Sequence, residues 1–200
     1  MKVCSVEGCN EKHHAHGYCS RHYQQFRKHQ EIKRTIYDKN DYIFHDDYIE
    51  ILIYNKKGEV IKKAIIDIDD YDLVKQYKWG LVSNYIINYM NNIFLHRLVI
   101  NASDDKYVDH IDGNTMNNRK HNLREVTHQQ NNMNKTNKGQ GNNKRKGVSY
   151  RKDRGKWRAY ITVDNKQINL GMYDTEEEAI KVRGEAEIKY FGEYRRKEDE

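Results

Sequence analysis

The sequence predicts an α+β protein built from several small modules, and three observations carry that prediction. Only 36% of its 200 residues are hydrophobic, with a mean hydropathy of −1.11, which is little apolar material for one large core. Runs with a two-residue apolar period alternate with helix-period runs, and stretches rich in Asn, Gly and Lys separate them. The formal charge of +6 is uneven: acids outnumber bases from Asp41 to Asp72, whereas from Lys135 to Arg158 ten Lys/Arg residues face one acid, Asp153. Positive charge gathered around one junction favours a polyanionic partner. No apolar run approaches the roughly 18 residues of a membrane span, and the N-terminus lacks the apolar core of a signal peptide. The expectation is a soluble, cytoplasmic protein with no membrane partner.

Residues 1–35 form the first module. Cys4, Cys9, Cys19 and His22 follow the pattern C-x4-C-x9-C-x2-H and use all three cysteines of the chain. An odd cysteine count argues against a disulfide framework, and three thiolates with one imidazole complete a tetrahedral Zn²⁺ site. Cys19 and His22 lie three apart at the start of a helix expected over Arg21 to His29, so both ligands point to one side. So short a segment has almost no core, and metal binding would supply most of its folding energy. Three unrelated thiols among chance histidines are the plainer alternative, and His13, His14 and His16 are possible substitutes for His22.

Residues 40–100 read as a β-rich lead-in. Ile49, Ile51 and Ile53 alternate with Glu50, Leu52 and Tyr54, and a turn over Asn55 to Gly58 leads to a second apolar run from Val60, which predicts a hairpin. Ile65, Ile66 and Ile68 lead into Asp69, Asp70 and Asp72 and a short helix around Leu73 to Tyr77. Acids suit a first helical turn, so the cluster is read as a solvated helix N-terminus in preference to a metal site. Tyrosine-rich strands near Tyr85 to Tyr89 and Ile93 to Leu95 then run into His96, Arg97 and Leu98. His96 is either structural, or it orients the hairpin that follows or contacts a phosphate.

Residues 101–136 hold the densest set of ligand-type side chains. Val108 to Ile111 is short and extended, Asp112 and Gly113 turn, and Leu123 to Val126 returns as the second strand of an antiparallel pair. Thr127 with Gln130 forms a capping box, so a helix should begin at His128 and carry Gln130, Asn131 and Asn134. A hairpin followed by a crossing helix is the ββα-metal arrangement. The stretches DHIDGN, NNRKHNLREVT and QNN resemble the HNH family. IDIDDYDLVKQYKWG with FLHRLV resembles the lead-in of HNH homing endonucleases, and GYCSRHY resembles the Cys/His knuckles that precede phage-type members.

That resemblance implies a role for each matching position. His110 corresponds to the general base, Asp109 to the carboxylate metal ligand, Asn122 to the residue that holds the base, and Asn131 to the helix residue that completes the metal site. The last position is usually His in the family, and Asn here resembles the H-N-N branch of phage homing endonucleases. An amide oxygen is a harder ligand than imidazole and favours Mg²⁺ or Mn²⁺ over Zn²⁺. Asn118, His121, His128 and Asn132 are the alternative assignments, with His128 the fallback should Asn131 point away.

Residues 137–145 read as a flexible basic linker, and residues 146–195 as three strands and a helix. Trp157, Ala159, Ile161 and Val163 share one face of the second strand, and Ile168, Leu170 and Met172 of the third should point the same way, leaving Gln167, Asn169 and Tyr173 opposite. Thr175 with Glu178 is a second capping box, and Ala179, Val182, Ala186 and Tyr190 fall at helical spacing over the apolar face. GVSYRKDRGKWRAYITV and LGMYDTEEEAI resemble the AP2/ERF DNA-binding domain, whose three-stranded sheet lies in the major groove. The groove-facing positions this implies are Arg151, Lys152, Lys156, Arg158, Tyr160 and Asn169. Arg reads guanine edges and Asn adenine, or the bases of the protein grip phosphates alone.

The expectation is a modular HNH homing endonuclease of phage or mobile-element origin, working in a bacterial host cell. It acts on double-stranded DNA with Mg²⁺ or Mn²⁺ at the hairpin and Zn²⁺ at the knuckle, and nicks as a monomer. The rival is a non-catalytic DNA-binding regulator that uses the AP2-like part; a structured RNA is the third candidate partner.

Overall fold

The structure, a computed structural model, describes residues 2–6, 9–34, 38–134 and 145–195. Apart from Arg145, the basic linker lies outside the described residues. The chain divides into two units, Met1–Asn101 with Thr115–Lys120, and Ala102–Asn114 with His121–Glu200. No helix among the described residues is long and apolar enough to cross a membrane.

In the first unit, α1 (Ser20–His29) begins at the Cys19 step, as its spacing requires. The alternating isoleucines form β2 (Tyr48–Tyr54) between β1 (Tyr42–Phe44) and β3 (Val60–Asp67) in an antiparallel meander. Ile49, Ile51, Ile53, Ala64 and Ile66 are fully buried on its inner face. The β2–β3 turn is held by the Asn55 side chain, which accepts from Lys57 N (2.8 Å) and Glu59 N (3.1 Å). Gly58 sits there at φ +82°, and a Cβ would come within 2.5 Å of the Arg34 carbonyl, so only glycine fits.

The acid cluster departs from expectation. A 3₁₀ turn (Ile68–Asp70) and α2 (Tyr71–Val74) follow β3, and Asp69 and Asp72 are exposed. Asp70, however, is buried against Lys120 Nζ at 2.6 Å. Asp67 accepts from Arg119 Nε (2.7 Å) and Lys120 N (2.8 Å). A carboxylate leaves water only where a cation meets it, and these partners come from about fifty residues further along, out of reach of a local reading. A second sheet of β4 (Gly80–Val82), β5 (Tyr85–Asn88) and β6 (Ile93–Phe94) leads into α3 (Leu95–Val99). The last expected strand therefore stops at Phe94, and Leu95 and His96 are buried helix residues, the His96 ring lying against Tyr85 and Phe94.

The second unit begins with the hairpin of β7 (Tyr107–His110) and β8 (Leu123–Val126), then α4 (His128–Met133). Both halves of the Thr127/Gln130 capping box are formed. The C-terminal part is an antiparallel sheet of β9 (Val148–Arg151), β10 (Lys156–Val163) and β11 (Lys166–Tyr173), covered by α5 (Glu176–Phe191). Asp164 and Asn165 both take positive φ in the β10–β11 turn, the backbone that matches strand twist in a two-residue hairpin.

A β-bulge alters the expected third strand. Tyr160 pairs with Asn169 but Ala159 pairs with Gly171, so Leu170 is the extra residue and the alternation reverses beyond it. Tyr173 packs on the Val148–Ala159–Ala179 core, while Met172 lies opposite Arg158. On α5, Val182 is half-buried, and the deeper positions belong to Arg183 and Glu187, an i,i+4 ion pair at 2.7 Å joined by Arg145 at 2.9 Å.

Candidate active site and metal centre

Hairpin register brings the first site together. β7 ends at Asp109 and His110, both buried, and Asp109 stands directly across from Arg124 on β8. Cross-strand partners share a face, so the guanidinium reaches the carboxylate: Arg124 Nε and Nη2 both donate to Asp109 Oδ2, at 3.0 and 2.8 Å. Arg124 is itself held by the Glu193 carbonyl (2.9 Å) and the Tyr194 ring (4.7 Å to its centroid).

Asn122 is buried and clamps the turn that follows His110. Its Oδ1 accepts from Asp112 N (3.0 Å), its Nδ2 donates to Asp112 Oδ1 (2.9 Å), and its carbonyl accepts from Ile111 N (2.9 Å). Asn131 lies half-buried on α4, its backbone N donating to Thr127 O at 3.0 Å. Of the alternative assignments, Asn118 is buried within the first unit and bonds Met116 O, and His121 is exposed. His128 packs on Tyr107 and pairs with Asn132 through Nδ1 at 3.2 Å.

Two residues of this site carry no role in the sequence reading. Arg124 was legible in principle, since counting back from the turn sets it opposite Asp109. Asn134, the C-cap of α4, is buried, and its Nδ2 donates to both Asp109 Oδ1 and the His110 carbonyl, each at 2.8 Å. Only its place one turn beyond Asn131 hinted at this.

The second cluster lies in the first unit. The ligand atoms of Cys4, Cys9, Cys19 and His22 all fall within 4.8 Å of one another. His22 Nδ1 is 3.2 Å from Cys4 Sγ and 3.5 Å from Cys19 Sγ, and the Cys9 and Cys19 sulfurs are 4.0 Å apart. A tetrahedral ion with bonds of about 2.3 Å to sulfur and 2.0 Å to nitrogen needs edges of roughly 3.5–3.8 Å, and these three separations lie within about 0.3 Å of that range. The other ring nitrogen of His22 faces Asp38 at 3.6 Å, and Arg21 holds that carboxylate at 2.7 Å. A carboxylate behind a ligating histidine fixes its tautomer. Burial pushes the Cys4 thiol up, but hydrogen bonds with His22 and the Val6 and Cys19 backbone outweigh it and bring the pKa to about 6. Burial raises Cys9. The three substitute histidines are engaged elsewhere: His13 Nε2 accepts from Gly17 N (3.1 Å), and His14 and His16 pack on Tyr23.

On the C-terminal sheet, Lys156, Arg158 and Tyr160 share a strand face by alternation, and Arg151 is the register partner of Lys156. Arg158 lies 5.3 Å from the Tyr160 ring centroid and donates to Gln167 Oε1 (2.9 Å), with Asn169 Oδ1 at 3.5 Å. Arg158, Tyr160 and Asn169 thus form one polar patch. Lys156 is paired with Asp174 and Arg151 with Asp153, while Lys152 is exposed in the β9–β10 turn.

A family model described as HNH endonuclease matches residues 94–133, the stretch from the end of β6 to the end of α4. Over 171 residues the chain is 30% identical to a protein of Acanthamoeba polyphaga mimivirus described as an uncharacterized HNH endonuclease, a match that covers 81% of this chain and 87% of that one. Over 68 residues it is 37% identical to Protein 3.8 of Escherichia phage T7, covering 34% of this chain and 56% of the phage protein. No solved structure matches it.

Proposed function

Because the chain belongs to the HNH endonuclease family, we propose that it hydrolyses phosphodiester bonds of double-stranded DNA at the end of the β7–β8 hairpin. The observation that carries this reading is the pair of buried neighbours Asp109 and His110, at a strand end next to a capped helix bearing Asn131 and Asn134. Burying a carboxylate beside an imidazole costs a fold free energy, and a nuclease needs both.

Neutral His110 takes the proton of the attacking water, the task of an imidazole at neutral pH. Asn122 fixes the turn behind His110 through Asp112, and the remaining lone pair of its Oδ1 would take a hydrogen bond from the second ring nitrogen. Asp109 and Asn131 hold a divalent cation. The donor set suits one: among the described residues Asp109 Oδ2 is filled by two Arg124 bonds, whereas Oδ1 accepts a single bond, from Asn134, whose own amide oxygen is buried without a partner. All-oxygen donors favour Mg²⁺ or Mn²⁺. Such an ion, when bound, supplies charge neutralisation at the scissile phosphate and the leaving oxygen. The products are a 5′ phosphate and a 3′ hydroxyl.

The knuckle holds Zn²⁺ as a structural ion, supported by its soft ligands and their spacing. The C-terminal sheet selects the site in the manner of an AP2/ERF domain, with Arg158, Tyr160 and Asn169 toward the groove and Arg151, Lys152 and Lys156 near the phosphates. One hairpin per chain cuts one strand, so a monomer nicks, as a homing-type enzyme encoded on a mobile element. The test is supercoiled plasmid with Mg²⁺: the wild type gives open circles and His110→Ala gives none. No nicking by the wild type, or full-rate nicking by His110→Ala, overturns the enzyme and leaves the DNA-binding regulator.

A further inference from the structure

Asn134 is buried, with 5% of its surface exposed, and the two acceptors it meets fix which way its amide faces. An ionised carboxylate and a backbone carbonyl can only accept, so the Asn134 NH₂ must point at Asp109 Oδ1 and His110 O. Turning the amide over would set oxygen against two oxygens. Its own Oδ1 is thereby directed away from both, and it is buried without a hydrogen-bond partner among the described residues. A buried carbonyl in that state costs about 1–3 kcal/mol unless something meets it. The acceptors beside it are nearly saturated. His110 O also accepts from Gly113 N at 2.8 Å, and Asp109 Oδ2 takes both Arg124 bonds. What remains, among the described residues, is one unfilled position on Asp109 Oδ1 and the unpartnered Asn134 Oδ1.

We infer that Asn134 completes the divalent-cation site: its Nδ2 positions the Asp109 carboxylate, and its Oδ1 is a further protein ligand beside Asp109 and Asn131. The inference rests on the nuclease reading of the hairpin. Within one amide the nitrogen and oxygen are about 2.2 Å apart, so Asn134 Oδ1 lies no more than roughly 5 Å from Asp109 Oδ1. An octahedral ion with bonds near 2.1 Å joins oxygens about 3 to 4.2 Å apart, within reach of a small side-chain adjustment. Residues 131 and 134 are three apart at the C-terminal end of α4, which sets them on neighbouring faces of one helical turn.

The experiment is Mn²⁺ titration of the full-length protein, followed by electron paramagnetic resonance and by thermal melting, with Asp109→Ala alongside. Mn²⁺ prefers oxygen donors and reports on the hairpin, leaving the thiolate cluster to softer ions. Asn134→Ala is expected to weaken Mn²⁺ binding 10- to 100-fold. Asn134→Asp sets a second carboxylate beside Asp109, so it should melt earlier than wild type without metal and gain more from Mn²⁺ than wild type does. A purely structural cap would lower the melting temperature of both variants and leave Mn²⁺ affinity and its stabilising effect unchanged, and that result overturns the inference. If Asp109→Ala abolishes binding while Asn134→Ala does not touch it, only the role of Asn134 falls. If Asp109→Ala also binds Mn²⁺ like wild type, the nuclease cation site falls with it.

Discussion

The Cys/His knuckle and the β7–β8 hairpin both present metal-ligand chemistry, and they are built on opposite plans. In the knuckle the four ligand atoms crowd within 4.8 Å of one another, and the surrounding segment buries little besides those ligands. On the proposed reading an ion ties these three sulfurs to His22, and there the metal would be part of the fold. In the hairpin the protein's own donors already occupy most of the Asp109 carboxylate, Arg124 on one oxygen and Asn134 on the other. Those bonds fix the carboxylate through the protein's own groups, and on the proposed reading the ion there would come and go with substrate. Closed soft sites hold structure, and open hard sites do chemistry.

The largest effect that tests this contrast is metal removal. Cys19→Ser should abolish stoichiometric zinc, measured by mass spectrometry of the purified protein, and make the backbone around α1 exchange hydrogen rapidly. Structural zinc contributes on the order of 10 kcal/mol in isolated fingers, far more than this segment's packing offers. Exchange in β7, β8 and α4 should be unchanged. Treating wild type with a strong chelator and then restoring Mg²⁺ alone divides the two sites again: cleavage returns if zinc stayed bound. Equal loss of protection in hairpin and knuckle after Cys19→Ser would end the distinction.

Next in size is His110→Ala. Loss of a positioned general base lowers the rate by about 10²–10⁴-fold. Zinc content and the melting of the knuckle should not move, because His110 belongs to the other unit. A zinc-dependent change in the residual rate would show that the two metal sites are not independent.

The same contrast explains what was legible in the sequence. Knuckle ligands sit within nineteen residues at a spacing that chemistry restricts, so Cys4, Cys9, Cys19 and His22 could be named and the structure gathers them. Local patterns also revealed both capping boxes and the hairpin. What escaped depended on partners distant in sequence or on a single inserted residue. The local sequence around Asp70 points to a solvated acid because its partner, Lys120, lies fifty residues on. Tyr173 and Met172 exchanged faces because one bulge residue reverses a period-two argument. Asn134 was one amide among many on an Asn-rich stretch, and only the fold singles it out by turning it toward Asp109.

A smaller effect is expected on the C-terminal sheet. Among the described residues Arg158 is placed by Gln167 and Tyr160 and not by an acid, which on the proposed reading leaves its charge for DNA. Arg158→Ala should weaken duplex binding about tenfold in a gel shift. If Arg158 reads a base, the loss will be concentrated on one position of the preferred site; if it grips a phosphate, it will be uniform and the salt slope will fall by about one. Neither outcome should alter Mn²⁺ affinity at the hairpin. Binding unchanged by Arg158→Ala would remove this face from the DNA contact.

The smallest effect sets the two capping boxes against each other. Thr127 and Thr175 make the same pair of bonds at the starts of α4 and α5. Replacing either by alanine removes one N-cap bond and costs about 1 kcal/mol, seen as a lower urea midpoint. Their consequences for catalysis should differ. α5 runs sixteen residues and packs along the sheet, so it absorbs a frayed first turn, and Thr175→Ala should cleave at nearly the wild-type rate. α4 has six residues, and the amides of Asn131 and Asn134 depend on where it starts. Fraying one turn of so short a helix displaces both, so Thr127→Ala should need several-fold more Mg²⁺ for half-maximal nicking, at a stability loss like that of Thr175→Ala. Equal Mg²⁺ requirements in the two variants would mean that α4 holds its place by packing alone and that its cap is irrelevant to the metal.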